Sequence, residues 1–155
     1  MGAREAHLGR EDDSMSTTRV TERDLYDRLR GRLKDIHWQR VETTTGSGVP
    51  DVNGCHAGAE FWVECKVTHG WSLVIRDSQT AWITRRVGQG GRVRVAVWQS
   101  GMDRNDLWIV PGSAILVLAQ VGLRIDSDLL LGHWGSGPGG WAWSEIRAAL
   151  TSDRL

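Results

Sequence analysis

Asp51 follows Pro50, and further on Glu64 and Lys66 interrupt an otherwise apolar, β-forming run from Phe61 to Val67. Carboxylates and an ammonium held close together beside a core are costly unless they pair or bind a cation. In a β-strand, residues two apart project from the same face. Glu64 and Lys66 therefore stand side by side with Trp62, while Phe61, Val63, Cys65 and Val67 form the opposite, core-facing side. If the preceding segment folds back along this strand, Asp51 comes to lie beside Glu64. Two carboxylates within reach of one hard divalent cation suit Mg²⁺, which binds through one or two carboxylates plus water and substrate phosphate. Such a cation lowers the pKa of a water and offsets charge on a reacting phosphate. Lys66 would position that water and stabilise the developing negative charge. The backbone carbonyl of Cys65 is a further candidate oxygen ligand, its sulfur pointing into the core. The competing reading is an ion-pair network on a solvated sheet face.

The elements that must hold these residues can be read from periodicity and caps. Leu25, Leu29 and Leu33 recur every four residues, with Ile36 extending the stripe, and Thr21 with Asp24 forms an N-terminal capping pattern. A helix is expected over 21–35, followed by a short extended piece over 38–42. A strand is expected over 49–52, a hairpin loop over 53–58 and the main strand over 60–67. Asp77 or Ser78 opens a helix that runs to about residue 87, where Gly88, Gly90 and Gly91 stop it. Alternating strands follow over 92–98 and 107–110, then a helix from 113 and a last one from 144. The glycine-rich stretch 132–140 reads as a flexible loop that offers Trp134 and Trp141 to a substrate or a second subunit. The expected class is α/β, a mixed central β-sheet flanked by α-helices, over one domain of residues 19–155. Residues 1–18 read as a disordered tail.

Composition adds bounds. Formal net charge is zero, yet six arginines and only two acids lie between His69 and Arg104, so a basic face for nucleic acid is not excluded. Arg76, Arg85, Arg86, Arg92 and Arg94 are candidates to track phosphates. Nine tryptophans against one Phe and one Tyr suggest that some indoles face a groove or partner. No apolar run reaches membrane-spanning length, and the N-terminus lacks a signal-like segment. Two cysteines cannot build a disulfide framework, so a reducing, cytoplasmic location is expected. A zinc set from Cys55, His56, Cys65 and His69 is disfavoured by its spacing.

Pro50-Asp51 followed by Glu64-Cys65-Lys66 resembles the signature of the PD-(D/E)XK nuclease superfamily. The wider pattern "GVPDV…FWVECKV…IRDSQTAW" is similar to its VRR-NUC and phage-type Holliday junction resolvase branch. The resemblance covers about residues 42–98. It implies a restriction-endonuclease-like core and DNA phosphodiester hydrolysis dependent on Mg²⁺ or Mn²⁺. It implies catalysis through Asp51, Glu64 and Lys66, with Gln79 in support. It also implies a homodimer acting on branched DNA in the cytoplasm of a bacterium or phage host. The first alternatives are a restriction- or repair-type nuclease on linear DNA and a non-catalytic nucleic-acid-binding accessory protein. Glu42 is either an additional metal ligand or an exposed strand residue. Superfamily members often carry an acid on the first helix near the metal, which makes Glu22 a candidate; the other reading is a carboxylate that complements the helix dipole.

Overall fold

Thr21 and Asp24 cap each other at the start of the first helix. The Asp24 amide donates to the Thr21 hydroxyl at 3.2 Å and the Thr21 amide donates to the Asp24 carboxylate at 2.8 Å. From there α1 runs Glu22–Arg32 and buries Leu25, Tyr26 and Leu29, with Leu33 and Ile36 continuing the apolar stripe into the chain beyond. The computed structural model describes residues 19–155, and the tail expected over residues 1–18 lies outside them.

After α1 come β1 (His37–Arg40), β2 (Val52–His56), β3 (Ala59–Thr68), α2 (Asp77–Gly88), β4 (Val93–Gly101) and β5 (Arg104–Pro111). The chain then forms α3 (Ile115–Val121), β6 (Gly132–Trp134) and α4 (Trp143–Thr151), with short 3₁₀ turns around α3. The six strands lie in one sheet in sequence order. Only β3 and β4 run parallel; the other neighbours are antiparallel. That single parallel pair demands a crossover, which α2 supplies. The expected mixed sheet flanked by helices is thus the architecture of the chain. Among the described residues no helix is long and apolar enough to cross a membrane.

Alternation sorts the core into two layers. Phe61, Val63, Cys65, Ala96, Trp98, Leu107 and Ile109 face α1 and α4. Val93, Val95, Val97, Trp108 and Val110 face the layer that contains Ile83 of α2 and Leu118 of α3. Trp62, Glu64 and Lys66 lie on this second side of β3, under α2.

Four expectations need correction. Most of the hairpin loop expected over 53–58 is strand, because the turn is only Ala57 and Gly58, with φ of 47° and 80°. Those two left-handed residues give the tight turn whose twist matches the flanking strands. Strand structure accordingly begins at Val52 and not at Val49. The stretch 132–140 is also not simply a loop: Gly132–Trp134 is the edge strand β6. Trp141 is 3% exposed, its indole N–H donating to the Asn105 carbonyl, and Trp134 donates to Glu145. Both indoles serve the protein's own packing. Finally, Arg94 is completely buried and cannot track phosphates. Its guanidinium donates to the carbonyls of Leu150 at 3.2 Å and Ser152 at 2.5 Å, tying the end of α4 to the sheet. Burial pushes its pKa down to about 10, which still leaves it charged at neutral pH.

Candidate active site

Pairing between β2 and β3 ends at Val52 opposite Val63, while β3 continues to Thr68 with only β4 beside it. The far half of β3 therefore has one free edge. Asp51, immediately before β2, fills part of it: the Cys65 amide donates to Asp51 Oδ2 at 3.0 Å. The N–H and C=O of one strand residue point to the same edge, so the Cys65 carbonyl is directed to this side as well. A cavity of about 150 Å³ opens here, lined by Asp51, Cys65, Tyr26 and Arg40, with Glu22 from the first turn of α1.

On the α2 side of the strand, three side chains form a chain of contacts. Gln79 Nε2 donates to Glu64 Oε1 at 2.5 Å, and Lys66 Nζ donates to Gln79 Oε1 at 3.1 Å. The same Gln79 oxygen accepts the Arg76 amide at 3.0 Å, which belongs to the capping of α2. Gln79 is held by its own helix terminus and in turn orients both charged groups. Lys66 Nζ lies 3.6 Å from Glu64 Oε1. Glu64 is 3% and Lys66 9% exposed, so this pair is deeply set and not a solvated surface ion pair.

Glu64 is under electrostatic pressure. Burial, then the negative charge of Asp51, push its pKa up to about 8, against the opposing pull of Lys66. Its second oxygen, Oε2, is buried without a hydrogen-bond partner. An orphaned carboxylate oxygen beside a second carboxylate is what a hard cation would satisfy. Among the described residues no three His, Cys, Asp or Glu side chains are grouped to hold a metal ion. The unpartnered Glu64 Oε2, Asp51 and the Cys65 carbonyl are oxygen donors of the kind that suits a hard cation. Glu22 has its pKa raised as well, by desolvation and by Asp51, with Lys66 and Arg76 opposing. That electrostatic coupling and the shared cavity put Glu22 at the mouth of the site. Glu42 is exposed and pairs with Arg40 at 3.8 Å, outside the cavity lining. Arg76 starts α2 beside Gln79, Arg85 and Arg86 are exposed on its last turns, and Arg92 is half-buried just before β4.

Sequence reasoning passed over Gly48. Its φ is +74°, and a Cβ there would sit 2.1 Å from the Ser78 carbonyl oxygen and 2.7 Å from the Gln79 nitrogen. The loop that delivers Asp51 is pressed against the start of α2, which delivers Gln79. Only glycine allows this approach. Gly48→Ala should destabilise the protein by about 1–3 kcal/mol, since it combines a strained φ with overpacking. Urea unfolding checks the value, and a change below about 0.5 kcal/mol, the range of ordinary surface substitutions, would show that the loop is not pinned. The sequence signal was a glycine two residues ahead of Pro50, legible only once its contact some thirty residues away is known.

No family model and no curated protein matches the chain. Among solved structures, it is similar to Hjc, a Holliday junction resolvase from the hyperthermophilic archaeon Archaeoglobus fulgidus. The identity is 20%, the match covers 59% of this chain and 74% of that one, and the TM-score is 0.44. At that distance the meaning of the site rests on this chain's own residues.

Proposed function

We propose that this protein is a metal-dependent endonuclease that hydrolyses DNA phosphodiester bonds, with Asp51, Glu64, Lys66 and Gln79 as its working residues. The observation that carries the reading is the buried Glu64, one oxygen held by Gln79 and the other unpartnered, paired with Lys66 and raised in pKa by the charge of Asp51. A structural ion pair would satisfy both carboxylate oxygens; this one leaves an acceptor aimed at something else.

Asp51, Glu64 and the Cys65 carbonyl would hold Mg²⁺ or Mn²⁺, with Glu22 near enough to act through water. When bound, the cation would supply charge stabilisation on the phosphate and a more acidic water. The remaining steps belong to the chain. Asp51 keeps its place by accepting the Cys65 amide. Gln79 fixes the Lys66 ammonium and the Glu64 carboxylate relative to each other. Lys66 then orients the attacking water and donates to the phosphoryl oxygens as negative charge builds. Water adds at phosphorus as the bond to the leaving deoxyribose oxygen breaks in line; the attacking water gives up one proton to solvent, and the departing alkoxide takes one up from solvent.

Within this class we favour a structure-specific enzyme that resolves Holliday or other branched junctions as a homodimer, as the motif resemblance implies. A two-fold dimer carries two sites, which suits the paired cuts a four-way junction needs. Arg76 and Arg92 would hold DNA near the site. The test is incubation with four-way-junction, flap, linear duplex and single-stranded DNA, in Mg²⁺ and in EDTA. Cleavage concentrated at junctions is expected. Equal cutting of linear and branched DNA would transfer the protein to a restriction- or repair-type role. Binding without cutting in any metal would make it an accessory factor.

A further inference from the structure

Outside the catalytic cluster, Trp62, Trp82 and Arg86 form a packed aromatic–guanidinium group. Trp62 precedes Glu64 by two residues on the same face of β3, and Trp82 and Arg86 lie four apart on α2. The two indoles meet edge to face, centroids 5.4 Å apart. The Arg86 guanidinium carbon lies 5.6 Å from the Trp62 ring centroid and 5.4 Å from that of Trp82. Among the described residues no carboxylate pairs with Arg85 or Arg86. A guanidinium steadied by two π faces and lacking a counter-ion keeps its planar fork of donors for an anion.

A cavity of about 540 Å³ opens beside it, lined by Trp82, Arg85, Arg86, Gln89, Gly90 and Gly91. That is the size range of pockets for small organic ligands, not of a site for a bare ion. Its floor depends on glycine: a Cβ at Gly91 would come within 2.7 Å of the Arg86 side chain. Arg86 is seven residues beyond Gln79, a rise of about 10 Å along the helix at about 1.5 Å per residue.

We infer that this pocket anchors one nucleotide of the DNA strand to one side of the bond that is cut. Arg85 and Arg86 take its backbone phosphate, and the open side of Trp82 takes the sugar or base. This rests on the DNA-cleaving reading for its ligand, but its test does not require cleavage. Equilibrium binding of the whole protein to fluorescent junction and duplex DNA is measured in EDTA over a range of salt. The comparison is wild type against Arg85→Gln/Arg86→Gln. The double variant should bind about tenfold more weakly, and the slope of log affinity on log salt should shrink by about 1, the mark of one lost phosphate contact. Should that variant fail to fold because the indole rack collapses, Arg85→Gln alone, which touches no ring, should still lower affinity about threefold.

A folded variant with unchanged affinity and slope overturns the inference, as does a wild type that binds no DNA. If a free deoxynucleoside monophosphate binds the pocket while the variant's DNA slope is unchanged, the site serves free nucleotide and the strand anchor is wrong. Wild type that binds junctions with the expected Arg85/Arg86 dependence yet cuts nothing in Mg²⁺ would remove the nuclease reading and leave the anchor standing.

Discussion

Lys66→Ala should lower the single-turnover rate of DNA cleavage by at least about 10²-fold, the scale on which removal of one positioned charge donor acts. Among the described residues the Lys66 ammonium is the one cation paired with Glu64, and Gln79 holds it in register, so no neighbouring side chain takes over. Lys66→Met, which keeps the stem volume, separates chemistry from packing. The Glu64 pKa, already raised to about 8 by burial and Asp51, lets this carboxyl take up a proton once Lys66 is gone. The loss of Lys66 therefore leaves no isolated buried charge, and the fold should survive. DNA affinity in EDTA should stay close to wild type, because Lys66 is buried and, on the proposed reading, exposed arginines would make most of the phosphate contacts. Cleavage at wild-type rate in folded Lys66→Met would take this residue out of the mechanism.

The second large effect concerns pH. Glu64 has an ordinary carboxyl value of 4.5 when unfolded and about 8 in the metal-free fold. Between these values the folded chain holds a proton that the unfolded chain has released. Its contribution to stability is complete below about pH 4.5, and falls as pH rises, by up to about 1.4 kcal/mol per pH unit, until it is lost above about pH 8. Glu22, also raised, acts in the same direction. A divalent cation binds the ionised form, so it stabilises more as pH rises. At a hundredfold excess over its dissociation constant it should add about 2.7 kcal/mol at pH 8.5 and much less at pH 5.5. Urea unfolding in EDTA and in Mg²⁺ at both pH values measures this. Glu64→Gln should flatten the EDTA profile. A Mg²⁺ effect equal at both pH values would place the cation elsewhere.

Glu64 and Lys66 were legible in the chain because they lie two apart on one strand. Alternation over Phe61 to Val67 separated the core side from Glu64 and Lys66 without any knowledge of neighbours, and the Thr21 cap and leucine stripe located α1. Alternation misled at Arg94 for a physical reason. β4 lies in the middle of the sheet, covered on both faces, so an arginine between valines is no sign of a wet face. What satisfies it, the carbonyls of Leu150 and Ser152, lies more than fifty residues away. Gly48 escaped for the same reason, since its constraint is set by Ser78. β6 is three residues long and opens on glycine, too short for a periodic signal. The depth of Glu64 was also invisible, because it follows from how tightly α2 closes over β3.

The most direct test is the dependence of single-turnover junction cleavage on free Mg²⁺ for wild type and for Asp51→Asn. Cleavage by wild type should saturate with Mg²⁺ and vanish in EDTA. The variant should be slower and need at least about tenfold more Mg²⁺, as expected on losing a carboxylate that holds the ion. Cleavage that persists in EDTA, or a Mg²⁺ midpoint unchanged by Asp51→Asn, would contradict a metal site on the free edge of β3.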